Sequence, residues 1–187
     1  MRIKDIQNEV KSKIIILNKI LEFEDGNIDE VKDLNKLLIL TSFMSSQKKA
    51  SLFEKFFRSK TNFIKISQKE NKGDFKDNDN NFYELKVSLK NEALSINMRQ
   101  IRLYQDIEYY IILYLDNCKE NSFSFKLTKE QMTEEVKLLG GICHGCKKAV
   151  ENNEVKEFSI SLKLNSKNFK RWEDNYFDTN LHNLLWN

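Results

Sequence analysis

The chain has 187 residues, of which 40% are hydrophobic and 32% charged, and its formal net charge is +3. That length suits one domain with a real core, with or without a small appendage, and the composition is that of a folded rather than a disordered chain. No apolar run approaches the ~20 residues of a membrane span, and Lys, Asp and Glu interrupt the first apolar positions, so no membrane, no secretory signal and a cytoplasmic location are expected.

In chain order, Ile3, Ile6, Val10, Ile14, Leu17, Ile20 and Leu21 fall at spacings of three and four, which predicts an amphipathic helix over 3–23. Gly26-Asn27 breaks it, and a second helix is expected over 28–44, with the dense apolar stretch Leu37 to Leu40. Ser45 or Ser46 can cap a third helix running to Arg58, with Phe53, Phe56 and Phe57 as its apolar face. Phe63 to Ile66 reads as a short strand.

Residues 72–89, KGDFKDNDNNFYELKVSL, predict a hairpin. Asn and Asp at 77–80 suit the turn, and Tyr83, Leu85, Val87 and Leu89 alternate with Glu84, Lys86 and Ser88 beyond it. Period two puts Glu84 and Lys86 on one face. Met98 to Asp106 has helical spacing, and Tyr109 to Leu115, YYIILYL, predicts a buried central strand. A strand over 122–127 follows, then a helix that Thr128 and Gln131 cap as a capping box, ending at Gly140-Gly141. A further helix over 144–152, an alternating strand over 158–164 and an aromatic tail from Arg171 packing on the body complete the pass. A soft boundary near residue 120 divides a core with N-terminal helices (1–120) from an accessory region (121–187).

The hairpin carries the chemistry. Hydrolysis of a phosphodiester calls for an activated water and an offset for developing negative charge, and a divalent metal supplies both. Mg²⁺ takes hard oxygen ligands, one or two of them carboxylates. Asp74 and Glu84 on neighbouring strands can provide these, with the carbonyl of Leu85 as a further oxygen. Lys86 then projects beside the metal, where its ammonium can hold the attacking water or the phosphate. If the hairpin register differs from the one inferred, Asp77 or Asp79 takes the place of Asp74. The alternative for Glu84 and Lys86 is a solvated strand face.

Asp74, nine intervening residues and Glu84-Leu85-Lys86 on a strand resemble the PD-(D/E)xK nuclease superfamily, to which many type II restriction endonucleases belong. The likeness continues through Arg99 to Gln105 and the buried strand at Tyr109, with Glu54 matching a helical glutamate that many members place upstream. It covers residues 46–116, and Gly73 stands where the motif has proline. The resemblance implies an α/β (α+β) restriction-endonuclease-like core, with a mixed central sheet flanked by helices. It also implies Mg²⁺-dependent cleavage of double-stranded DNA, for which Mn²⁺ can substitute, leaving a 5′-phosphate and a 3′-hydroxyl. Asp74 and Glu84 would be the metal ligands, with Glu54 assisting and Lys86 catalytic. Small restriction enzymes often cut as homodimers.

Arg99, Gln100, Arg102 and Gln105 can contact phosphates or base edges. The order helix, Gly140-Gly141, helix, strand further suggests a helix-turn-helix-like C-terminal subdomain, with His144, Lys147 and Lys148 facing DNA, or else an ordinary helical hairpin. Cys143 and Cys146 form only half of a zinc site, and no second pair exists, so no zinc is expected. The odd count of three cysteines argues against a disulfide framework. The competing functions are a phage, homing or repair nuclease on the same core, and a non-catalytic helix-turn-helix regulator.

Overall fold

The computed structural model describes residues 34–41, 46–67, 71–116, 118–144 and 157–187. Its contacts divide the chain into two units, residues 1–60 with Trp186 and residues 61–185 with Asn187. The first unit shows helices α1 (Leu34–Thr41) and α2 (Ser46–Lys60). Leu52, Phe53, Phe56 and Phe57 are buried along α2 at helical spacing, as the sequence predicts. The helix expected over 3–23 lies outside the described residues.

The second unit is a mixed α/β assembly. Its strands in chain order are β1 (Ile64–Lys65), β2 (Phe75–Lys76), β3 (Phe82–Leu89), β4 (Ser95–Ile101), β5 (Tyr109–Leu115), β6 (Phe123–Thr128), β7 (Ile142–His144) and β8 (Glu157–Lys163). Helices α3 (Lys129–Leu138), α4 (Lys167–Tyr176) and α5 (Thr179–Trp186) complete it. The central sheet has the order β1-β2-β3-β5-β6, and β4-β8-β7 form a second, antiparallel sheet. Only β3 and β5 run parallel within the central sheet, so it is mixed. The soft boundary near residue 120 falls inside this unit, between β5 and β6, which pair.

Residues opposite one another in a ladder share a face. Glu84, Lys86 and Ser88 oppose Tyr110, Ile112 and Tyr114, and these oppose Leu127, Phe125 and Phe123 on β6. That face packs against Ile96, Met98, Ile160 and Leu162 of the second sheet and against Met132, Val136, Phe169 and Trp172 of α3 and α4. Ser88 Oγ accepts the Asn97 N–H at 3.0 Å, tying β3 to the start of β4. The aromatic tail therefore does pack on the body, through the buried Trp172 and through a bridge from Phe177 to Phe125.

Thr128 and Gln131 form the expected capping box at the start of α3. One turn before the end of that helix, Glu135 is almost fully buried. Its carboxylate accepts from Trp172 Nε1 (2.8 Å), from the Tyr176 hydroxyl (3.0 Å) and from Arg171 Nη2. An acid can sit in the core here because both oxygens are hydrogen-bonded and one faces a guanidinium.

Two expectations are corrected. Residues 98–106 are not a helix: residues 95–101 are strand β4, and the chain turns after it. Between Met98 and Ile101 the ladder spends three steps on β4 against two on β8, a bulge in which Gln100 has φ +53°. The bulge stretches the buried spacing from two, Ile96 to Met98, to three, Met98 to Ile101, which imitates a helical repeat. Second, Ile142–His144 is a strand paired with Glu157–Ser159, so no helix begins at His144. The rest of that expected helix lies outside the described residues.

Replacing Glu135 by Ala leaves the Trp172 N–H, the Tyr176 hydroxyl and Arg171 without their shared acceptor. A stability loss of about 3 kcal/mol is expected, read from urea denaturation. Thr128→Ala, which removes only the cap, should lose about 1 kcal/mol in the same assay.

Candidate active site

The β2–β3 hairpin pairs Phe75 with Tyr83 and Lys76 with Phe82. Its turn is built around Asp77. One carboxylate oxygen accepts the N–H groups of Asp79 and Asn81, both at 2.9 Å. The other accepts the Asn81 amide (2.9 Å) and the Tyr83 hydroxyl (2.7 Å). Burial pushes the Asp77 carboxyl up, but the hydrogen bonds from Asn81, Tyr83 and the main chain outweigh it and hold the group below the ordinary carboxylate value. The Tyr83 phenol is raised, first by burial and then by its bond to Asp77. Asp77 is thus the acid of the turn. Asp79 is an exposed turn residue whose main chain serves the same motif.

Asp74 is held differently. Its N–H donates to the Tyr83 carbonyl (2.8 Å), and its carbonyl accepts from the Ile66 N–H (3.0 Å). Its Oδ2 accepts the Leu85 N–H at 2.9 Å. Beyond the two residues that β2 pairs, the Asp74 carboxylate therefore serves as acceptor for β3. The N–H and C=O of one strand residue point to the same edge, so the Leu85 carbonyl opens toward the edge that Asp74 occupies.

Gly73 makes this approach feasible. Its φ is +80°, and a Cβ there would lie 2.6 Å from the Tyr83 carbonyl oxygen and 3.0 Å from Ile107 Cγ2. Proline, fixed near φ ~−65°, cannot take that conformation. The departure from the motif's proline has a local steric reason.

Glu84 is 4% exposed. Lys86, two residues on and on the same face, places Nζ 2.5 Å from Glu84 Oε1. Two further groups come to this region from other elements. The Tyr110 hydroxyl donates to the Arg102 carbonyl (3.0 Å), fixing the backbone just past β4. Arg102 Nε donates to Glu157 Oε1 at 2.8 Å. This pairing raises the guanidinium above its ordinary value, and the field of Glu84 adds more weakly. Burial, then Glu84, also raises the Tyr110 phenol.

The structure thus places Glu84, Leu85 and Lys86 at consecutive positions of β3, with the Asp74 carboxylate bonded to the Leu85 N–H. Among the described residues, no group of three or more His, Cys, Asp and Glu side chains converges as a metal cage. Two carboxylates and one carbonyl are a hard-oxygen set, which fits an ion that keeps waters and takes phosphate oxygens, as Mg²⁺ does. Glu54 is half-buried on α2 and belongs to the first unit.

The predicted DNA contacts are not one helix face. Arg99 and Gln100 are exposed at the β4 bulge. Arg102 is half-buried against Glu157. Gln105 is buried and so does not face solvent, and its main-chain carbonyl accepts from Lys129 Nζ. His144 lies in β7, and Lys147 and Lys148 lie outside the described residues. Sequence reasoning did not find Tyr110 or Glu157. The run at 109–115 announces burial without revealing that the Tyr110 hydroxyl reaches β4, and Glu157 reads as one acid among many.

No protein-family model and no curated protein matches the chain. Among the described residues no helix is long and apolar enough to cross a membrane.

Gly73→Ala should lose roughly 2–3 kcal/mol, because it combines a positive φ with contact against main chain. Asp77 gives a pH signature. Its folded pKa lies below its unfolded value, so its contribution is present at neutral pH and is lost as the pH falls through the folded value, below the ordinary carboxylate range. Asp77→Asn should lower stability at pH 7 and flatten the acid limb of the pH–stability curve, measured by denaturation between neutral and acid pH.

Proposed function

We propose that this protein is a Mg²⁺-dependent endodeoxyribonuclease of the PD-(D/E)xK kind, hydrolysing double-stranded DNA as a sequence-specific restriction enzyme. The observation that carries the reading is the Asp74 carboxylate bonded to the Leu85 N–H. It puts one acid against the strand segment that bears the second acid and the lysine.

A bound Mg²⁺ would supply Lewis-acid offset of phosphoryl charge and a more acidic water. Asp74, Glu84 and the Leu85 carbonyl would hold it. With Glu84 engaged in holding the ion, the Lys86 ammonium would be available to orient the attacking water or the scissile phosphate. The water oxygen forms the new P–O bond and the 3′-oxygen leaves and is protonated, giving a 5′-phosphate and a 3′-hydroxyl. Arg102, held by Glu157 just past β4, would contribute positive charge for a neighbouring phosphate. Arg99 and Gln100, exposed side by side at the bulge, are the described residues placed to read the duplex. Cutting both strands would take two copies of the chain, hence a homodimer on DNA.

Purified protein is expected to cut plasmid DNA in Mg²⁺ or Mn²⁺ and not in EDTA. Sequencing the cut ends would give site and polarity together. Asp74→Asn, Glu84→Gln and Lys86→Ala should each reduce cleavage by at least ~100-fold without unfolding the chain, whereas Asp77→Asn should cut at a near wild-type rate. Wild-type cleavage by Glu84→Gln would overturn the site. Sequence-specific binding with no cleavage in either metal would favour the non-catalytic regulator.

A further inference from the structure

Because β3 and β5 run parallel, their carboxyl ends emerge side by side. Lys90 follows one and Asp116 the other, with the Lys90 N–H donating to the Leu115 carbonyl at 2.9 Å. Lys90 Nζ lies 3.0 Å from Asp116 Oδ2, and Asp116 is 5% exposed. Open α/β sheets bind ligands outside the carboxyl ends of their parallel strands. In this protein a cleft of about 240 Å³ opens there, lined by Lys90, Asp116, Tyr114, Asn165, Phe123 and Phe169 among others.

One group in the cleft lacks a partner. Tyr114 is 1% exposed, and among the described residues its hydroxyl makes no hydrogen bond although the oxygen is buried. Buried hydroxyls are nearly always paired, so an orphan on the wall of a cleft points to something that enters it. The walls are rings: Tyr114 and Phe123 have centroids 6.2 Å apart, and Phe169 meets Phe123 edge-on at 4.9 Å. Asn165 is held at φ +62° on the rim.

These features restrict the ligand. The carboxylate of Asp116 neutralises Lys90, which disfavours a phosphate or another anion. The volume is below the ~300–1,000 Å³ of pockets for drug-sized molecules, so one small ring system fits and a whole nucleotide does not. Aromatic walls suit a flat ring. The polar groups combine an obligate acceptor, an obligate donor and two groups that do both: Asp116, Lys90, Asn165 and the Tyr114 hydroxyl. A ring edge with adjacent donors and acceptors is the edge of a nucleobase.

We propose that this cleft is a nucleobase-binding site, in which a single base enters edge first against Tyr114, Asn165 and Asp116 with its sugar left outside. The base comes either from a free nucleoside or from an unstacked position of a nucleic-acid strand. The site does not rest on the metal reading: Glu84 lies six residues back along β3, about 20 Å away.

The test uses the full chain in EDTA, so that cleavage plays no part. Adenosine, guanosine, cytidine and thymidine are titrated to millimolar concentration and followed by saturation-transfer NMR. Single-stranded oligonucleotides, intact or with abasic positions, then compete. At least one nucleoside is expected to bind. Tyr114→Phe removes only the unpaired oxygen, so binding should weaken about tenfold while the melting temperature holds or rises. Asn165→Gly, which keeps the left-handed backbone and removes the amide, should weaken binding as well. Displacement by the intact but not the abasic strand supports a strand base as the source, and failure of both strands to displace supports a free nucleoside. Absence of binding by every nucleoside, or unchanged binding by Tyr114→Phe, overturns the proposal. A protein that cuts no DNA but binds a nucleoside in this way would refute the nuclease reading alone.

Discussion

The parallel pairing of β3 with β5 is the constraint on which the rest of the second unit depends. It runs in unbroken register from Tyr83–Tyr109 to Leu89–Leu115. Since register assigns every side chain to a face, this ladder decides that Glu84 and Lys86 share a face with Tyr110 and Ile112. It also aligns the ends of the two strands. The candidate metal site stands near one end of β3 and the ring-lined cleft at the other. Both are consequences of two strands running in one direction, and a one-residue slip would remove both.

The hairpin before that ladder separates two acids that are similar in sequence and different in role. Asp77 is enclosed by four donors from its own turn and serves the backbone. Asp74 turns its carboxylate to the strand that carries Glu84, where Oδ2 accepts the Leu85 N–H. The sequence left Asp74, Asp77 and Asp79 as alternatives because acids in a turn look alike until the register is known. What brings Asp74 to the edge of β3 is a glycine, since only a residue without Cβ lets the chain pass so close to the Tyr83 carbonyl.

Much of the fold was legible because the periods were clean. The run at 109–115, the alternation after Tyr83 and the capping box at Thr128 each occur as expected. The region after β3 was not, because a bulge inserts one residue and converts a period of two into an apparent helical spacing. Sequence periodicity also says nothing about partners far along the chain. The Arg102–Glu157 pair and the Tyr110 contact come from a sheet that joins distant segments. The candidate catalytic trio was readable because its members are close in sequence. Its surroundings were not, because they are assembled by topology.

That topology bears on how the molecule is made. Among the described strands, β4 and β8 are the most widely separated partners in sequence. Loop closure has to be met before such a pairing returns any contact energy, so local hairpins and the β5–β6 ladder form at lower entropic cost. Arg102 and Glu157 stand at the end of this most distant pairing. The acids and the lysine on the hairpin can therefore be in place early in folding, while the positive charge beside them arrives only when the second sheet closes. The Arg102–Glu157 pair thus depends on closure of the pairing that is most distant in sequence among the described strands.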